Sequence, residues 1–170
     1  MTAPFRLEPL SEVQDRSGFA CGEEALDRYF QSQVTQDIRR HIANCFVAID
    51  AATGALAGYY TIAATSIPTP DLPAEVTKRL PRYPSIPAVR IGRLAVDQKH
   101  QRRGLGAALL ADAAQRTLDA PPAAYALVVD AKDDNASAFY QHHGFLRFAS
   151  QPRTLFLPLA TAAKILLGPA

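Results

Sequence analysis

The residues best equipped for chemistry lie in one short run, Gln101-Arg102-Arg103-Gly104-Leu105-Gly106-Ala107. Upstream is an alternating apolar stretch, Val89 to Val96, and downstream a helical pattern from Leu105 to about Leu118. A strand therefore feeds a basic, glycine-bearing turn that opens into a helix. The first N–H groups of a helix have no intrahelical acceptor and carry the positive end of its dipole, so phosphate oxygens bind there. Gly104 and Gly106 present no Cβ to an approaching ligand, and Arg102 and Arg103 add donors whose fork matches phosphate geometry. The chemistry implied is the holding of a pyrophosphate. Two other phosphate-binding patterns do not fit: a P-loop needs four residues between its glycines and then Gly-Lys-Ser/Thr, and the dinucleotide fingerprint needs a third glycine.

Charge supplies a second signal. Between Lys78 and Arg103 stand eight basic residues, Lys78, Arg79, Arg82, Arg90, Arg93, Lys99, Arg102 and Arg103, against one acid, Asp97. The rest of the chain holds ten basic and fifteen acidic residues, so a net charge of +2 divides into +7 and −5. Such asymmetry favours a phosphate-rich partner larger than the ligand of the loop alone. By strand alternation Arg93 shares a face with Val89 and Ile91, so it needs a partner: a substrate phosphate, or a carboxylate such as Asp130. Metal chemistry is not indicated. The only cysteines, Cys21 and Cys45, form no CxxC and have no histidine placed to make a metal site, and the four histidines have no i, i+4 pairing with one another. Both cysteines read as reduced, small hydrophobes.

These groups must be positioned by a domain of ordinary size. At 170 residues and 48% hydrophobic, the chain can bury a core without disulfides or metals. No apolar run approaches the roughly 20 residues that span a bilayer, and the N-terminus has no signal-peptide pattern, so a cytoplasmic location is expected. Phe5 to Leu10 reads as a strand, and Gly22 to about His41 as one helix, with Leu26, Tyr29, Phe30, Val34 and Ile38 at helical spacing. Strands follow at Cys45 to Ile49 and Leu56 to about Thr65, turned at Thr53-Gly54. Pro68 to Pro87 holds six of the thirteen prolines and has room only for a short helix near Ala74 to Leu80. A fourth strand, Ala88 to Val96, leads into the loop and its helix; a fifth is expected at Ala124 to Val129. Asp133 to His142 reads as a helix capped by Asp133 or Asp134 and ended by Gly144, before strands at Phe145 to Ala149 and Thr154 to Pro158 and a short apolar tail. The order is that of an α/β chain with a mixed sheet, without internal repeat or second domain.

The Gln101 to Ala107 loop matches the Gln/Arg-x-x-Gly-x-Gly/Ala pattern of the GNAT acetyltransferases at every defining position, and the chain resembles that family over nearly its full length. The resemblance implies the GNAT acyl-CoA N-acyltransferase fold over a single domain, residues 1–170. That fold is an α/β (α+β) arrangement: a mixed, mostly antiparallel sheet with splayed fourth and fifth strands, flanked by helices. It implies acetyl-CoA as co-substrate and no metal. The pyrophosphate would be held by Gln101, Arg102, Arg103, Gly104, Leu105, Gly106 and Ala107, and the pantetheine arm by the main chain of Leu94, Ala95 and Val96. Asn135, Ala138, Phe139, Tyr140, Gly144 and Phe145 fall on matching positions of the family's signature helix. Asn135 and Ala138 would then lie along the pantetheine arm, and Tyr140 beside the sulfur, where a phenol of ordinary pKa about 10 can protonate the departing thiolate. Phe139 is expected in the core.

Further segments resemble one branch of that family, the toxins of toxin–antitoxin modules that acetylate aminoacyl-tRNA. They are Phe19-x-Cys21-Gly22-x-x-x-Leu26-Asp27, Gly58-Tyr59-Tyr60-Thr61, Leu80-Pro81-Arg82-Tyr83-Pro84-x-Ile86-Pro87 followed by Gly92-Arg93-Leu94-Ala95-Val96-Asp97, and Val129-Asp130-Ala131. The narrower resemblance implies transfer of acetyl to the free α-amine of an amino acid on tRNA, a ribbon-helix-helix antitoxin, and homodimers. On it, Lys78, Arg79, Arg82, Arg90 and Arg93 are the residues expected to meet tRNA. The fourth strand carries no carboxylate to serve as base. That suits an α-amine, whose pKa of about 7.7–8.0 leaves part of it neutral, better than a lysine side chain near about 10.4; Asp97 and Asp130 are bases only through water. Two alternatives use the same cofactor loop: an acetyltransferase for an antibiotic, polyamine or amino acid, and a non-catalytic acyl-CoA-binding module, which should lack a usable acid. The tail from Leu155 to Leu167 reads either as an interaction surface or as a cap on the core.

Overall fold

The structure, a computed structural model, describes residues 4–167. Seven strands form one sheet in the order β1-β2-β3-β4-β5-β7-β6. They are β1 (Phe5–Pro9), β2 (Asn44–Asp50), β3 (Leu56–Pro68), β4 (Ser85–Val96), β5 (Ala126–Asp130), β6 (Leu146–Arg147) and β7 (Thr154–Pro158). The helices are α1 (Glu24–Ser32), α2 (Val34–Arg39), α3 (Ala74–Thr77), α4 (Leu105–Asp119), α5 (Asp134–His142) and α6 (Leu159–Ile165). The chain folds into two compact units: the described residues up to Ala63 with Gly92–Ala113, and Ala64–Ile91 with the described residues from Ala114 onward.

In the first unit β1 and β2, and β2 and β3, pair antiparallel. The Asp97 amide donates to the Ala57 carbonyl at 2.8 Å, and Gly58 lies opposite Ala95 and Thr61 opposite Gly92, so β3 and β4 also run antiparallel. Apolar side chains of β2 and β3 meet α1 and α2 around Phe30, which stacks on Tyr59 with centroids 4.2 Å apart, while Phe19 closes both edge-on. The helix expected from Gly22 to His41 is broken into α1 and α2 at Gln33. In an unbroken helix the Phe30 carbonyl would accept from the amide of Val34; instead the Arg16 guanidinium donates to it at 2.7 Å, a side chain inserted into the ladder. Arg16 lies outside the helix, so no local periodicity shows the break. Cys45 is buried in this core and unoxidised, its thiol pushed up to about 12 by burial, in keeping with a hydrophobe rather than a nucleophile.

In the second unit β5 and β7, and β7 and β6, pair antiparallel, while β4 and β5 run parallel from Ala88↔Ala126 to Ile91↔Val129, where their register ends. Ile67, Ile86, Val128 and Phe156 form its core. The Asp133 carboxylate accepts from the Ala136 amide at 2.8 Å and caps α5; Gly144, at φ +95°, ends it. The strand expected at Phe145 to Ala149 shrinks to Leu146–Arg147, and the Ala149 amide donates instead to the Asp71 carbonyl at 2.7 Å. The apolar tail contains a helix the periodicity did not reveal: Pro158 fixes its entry, and the alanine-rich α6 turns Leu159 and Ala162 inward as a cap on the core.

Gly58 sets how closely α4 approaches the strands. A Cβ there would meet the Ala95 carbonyl at 3.0 Å, Leu109 at 3.2 Å and Leu105 at 3.3 Å, and backbone cannot yield as a side-chain tip can. Gly58→Ala is expected to cost about 1–3 kcal/mol by urea denaturation; an unchanged midpoint would refute this tight fit.

Candidate active site

The loop expected to hold a phosphate begins at the end of β4. The Asp97 carboxylate accepts from the Lys99 amide at 2.9 Å and the Ala20 amide at 3.1 Å, closing a single 3-10 turn over Gln98–His100. Gln101 then donates through Nε2 to the carbonyls of Cys21 and Val96, both at 3.2 Å, and pins the loop to its own strand. Two residues adopt left-handed conformations, Arg102 at φ +66° and Gly104 at φ +76°. Alternation of this kind turns successive amides toward one side, a concavity suited to an anion. Among the described residues, the amides of Arg102 through Ala107 have no protein acceptor. They stand at the N-terminus of the fifteen-residue α4, whose dipole adds to their positive potential. Leu105 is buried and anchors the helix, while Gln101 to Gly104 are exposed.

The arginines divide by partner. Arg102 is exposed with no partner among the described residues. The Arg103 guanidinium lies over the Phe5 ring at 4.7 Å and 3.8 Å from the Asp50 carboxylate. Arg93 stacks 3.5 Å from the centre of the Tyr29 ring, and the Tyr29 hydroxyl donates to Asp37 at 2.7 Å. Burial, then that carboxylate, raises the Tyr29 pKa above its ordinary value. The carboxylate partner suggested for Arg93 is thereby corrected: Asp130 is paired with Arg90 and also accepts from the Thr154 hydroxyl at 2.8 Å. An aromatic face supplies what Arg93 needs, and the aromatic comes from α1, far away in sequence. The two carboxylates considered as bases through water both have structural partners, Asp97 in its turn and Asp130 with Arg90.

In the second unit α5 presents Asn135 and Ala138 to solvent one turn apart. Tyr140 points inward and packs on Phe139 and Phe145, each with centroids at 5.3 Å. Phe139, expected in the core, is only half-buried and lies against His143. Burial pushes the Tyr140 phenol up to about 12, and its hydroxyl has no protein hydrogen bond among the described residues. The group is therefore an intact acid at neutral pH, free to turn its proton toward a ligand. Of the expected tRNA-binding residues in this unit, Lys78 pairs with Glu75 at 3.0 Å and Arg90 with Asp130, while Arg79 and Arg82 are exposed and unpaired among the described residues. Arg82 lines a surface groove with Tyr83, Leu80, Thr69 and Thr77.

Residues 20–154 match the family model of the GNAT acetyltransferase domain. The chain belongs to the GNAT acetyltransferase family. It is 34% identical to the tRNA-acetylating toxin of Mycobacterium tuberculosis, over 98% of this chain and 97% of that one. Among solved structures it resembles AtaT complexed with acetyl-methionyl-tRNAfMet, at 28% identity and a TM-score of 0.81, covering 92% of this chain and 95% of the other. It also resembles a tyrosine-to-phenylalanine mutant of the AtaT toxin bound to the C-terminus of the antitoxin AtaR and acetyl-CoA, at 25% identity and a TM-score of 0.76, covering 95% and 97%. The GNAT fold expected from the loop and the α5 signature is the fold observed, with its mixed, mostly antiparallel sheet and parallel β4–β5 pair.

Sequence reasoning missed one cluster beside the loop. His100 and Asp50 are both buried, with Nε2 3.1 Å from the Asp50 carboxylate, and Asp97 lies on the other side of the ring. The spacing Asp97-x-x-His100 hints at the turn, but nothing local announces Asp50.

The raised pKa of Tyr140 has a direct spectroscopic consequence. In a UV titration, the difference between wild type and Tyr140→Phe should contain no phenolate signal below about pH 11; a component titrating near the ordinary tyrosine value would show that the phenol is not held protonated.

Proposed function

We propose that this GNAT chain is a toxin that transfers acetyl from acetyl-CoA to the α-amine of aminoacyl-tRNA, blocking translation, and that a cognate antitoxin neutralises it. The observation that carries the reading is the row of acceptor-free amides from Arg102 to Ala107 at the start of α4, in a chain 34% identical to a tRNA-acetylating toxin along almost its whole length. Residues 1–170 act as one domain, in the cytoplasm, as a homodimer with an antitoxin of the ribbon-helix-helix type.

Acetyl-CoA fits the residues present: the loop amides and Arg102 offer donors to its pyrophosphate, and it supplies the acetyl group activated as a thioester. Leu94, Ala95 and Val96 offer main-chain groups to the pantetheine arm, one amide polarising the carbonyl under attack. Asn135 and Ala138 are assigned to the same arm by the family resemblance. Tyr140 holds a proton on its hydroxyl oxygen and delivers it to the thiolate as the carbon–sulfur bond breaks. The attacking amine loses its own proton to water, which an α-amine near pKa about 8 permits without a dedicated base. Lys78, Arg79, Arg82, Arg90 and Arg93 meet the tRNA phosphates, with Arg79 and Arg82 the readiest because they have no internal partner to give up among the described residues.

The test is acetylation of total charged tRNA with labelled acetyl-CoA. Wild type should label aminoacyl-tRNA, and Tyr140→Phe should lower turnover about 100-fold. Label on free amines alone would favour a small-molecule enzyme, and undiminished turnover by Tyr140→Phe would remove the phenol from the mechanism. Replacing Arg79 and Arg82 with alanine should weaken tRNA binding and flatten its log–log salt dependence by about one unit per arginine; an unchanged slope would exclude both from the interface.

A further inference from the structure

Asp50, Asp97 and His100 are three of only seven buried polar or charged residues among those described, and they converge on one spot beside the loop. Burying such groups is costly unless each has a purpose or a partner. Asp97 has its purpose in capping the turn. Neither backbone capping nor the proposed acetyl transfer requires His100, where a leucine would fill the space without losing hydration.

Its contacts point to one role. Asp50 accepts from the Ala52 amide at 2.9 Å, a bond that with His100 and Arg103 holds its carboxyl below the usual range, so it is ionised at neutral pH. A carboxylate only accepts, so the His100 Nε2 facing it must donate. In a neutral ring Nδ1 is then a bare acceptor, and it sits buried and unbonded 3.5 Å from the Asp97 carboxylate. The same Asp50 oxygen, Oδ2, is approached by both His100 Nε2 at 3.1 Å and Arg103 Nη1 at 3.8 Å. The first is a hydrogen-bonding distance; the second is too long. The His100 donor thus offsets charge on the oxygen nearest Arg103 and weakens its pull on the guanidinium. Phe5 closes the circuit, with its ring edge-on to His100 and beneath the Arg103 guanidinium.

We propose that Asp50 and His100 are positioning residues for the phosphate-binding loop: His100 satisfies Asp50, and Arg103 stays over Phe5, available to the pyrophosphate of acetyl-CoA. The proposal rests on the reading of the Gln101 to Ala107 loop as the pyrophosphate site. Neither residue touches substrate; both act through Arg103 and the turn that carries His100. Without the histidine donor, Arg103 swings onto Asp50, and the loop, already holding Arg102 in a left-handed conformation, loses both a phosphate ligand and a brace.

The experiment compares His100→Leu, which keeps bulk but donates nothing, with His100→Gln, whose amide nitrogen reaches about as far as Nε2. Two acyl donors are used, acetyl-CoA and S-acetylpantetheine, which lacks the phosphates. Expected for His100→Leu is a KM for acetyl-CoA raised about tenfold with kcat within about twofold of wild type, and near-wild-type KM for His100→Gln. With S-acetylpantetheine all three proteins should have the same kcat/KM. A wild-type KM for acetyl-CoA in His100→Leu would overturn the proposal, as would an equal defect with both donors, or a glutamine variant no better than leucine. If the leucine variant gives no cooperative thermal melt, His100→Ala takes its place in the same comparison. The paired Arg102→Ala and Arg103→Ala substitution tests the arginine ligands separately: undiminished CoA binding there would remove both guanidinium groups from the pyrophosphate site and with them the route by which His100 acts, whereas weakened binding there beside a wild-type KM in His100→Leu would dismiss only the role of His100.

Discussion

A helix that begins in the open leaves its first amides without acceptors, and at α4 this elementary deficit becomes the centre of the molecule. The amides of Arg102 through Ala107 have no acceptor among the described residues, and the residues around them keep them aimed together. Asp97 closes the preceding turn, Gln101 ties the loop back to Val96 and Cys21, and Leu105 anchors the helix against the strands where Gly58 leaves room. An unsatisfied backbone group is ordinarily a defect; here the conformation that exposes it is built in, down to a non-glycine residue held at positive φ.

Burial decides the chemistry of the individual side chains. Two tyrosines illustrate this. Tyr140, enclosed by Phe139 and Phe145, keeps its proton because a phenolate would lose hydration with no cation to replace it. Tyr29, hydrogen-bonded to Asp37, presents its face to Arg93 and turns an otherwise exposed cation into a fixed feature of β4. Each contributes a proton or a surface rather than a negative charge. The absence of a carboxylate in β4 then suits the proposed substrate, an amine that is partly neutral already.

The positive charge between Lys78 and Arg103 separates in the same way. Lys78, Arg90 and Arg103 have carboxylates near them and Arg93 has an aromatic ring, whereas Arg79, Arg82 and Arg102 are exposed and unpaired among the described residues. Arginines held in place by nothing among the described residues would give a polyanion their full charge without displacing an internal ion pair.

Much of this was legible from the residues alone, because the signals were local. The two glycines and two arginines after a strand, the cap at Asp133 and the stop at Gly144 are properties of neighbours in the chain, governed by φ, by missing Cβ atoms and by unpaired amides. The family followed from two such motifs in order. What only the tertiary structure decided depends on residues distant in sequence: Arg16 taking the Phe30 carbonyl and breaking a helix, Tyr29 receiving Arg93 while Arg90 took Asp130, and Asp50 reaching His100 across fifty positions. Periodicity reports which face of an element is buried, and it is silent on which buried polar group meets which, because that depends on the packing of whole elements and on the distances they leave between charges.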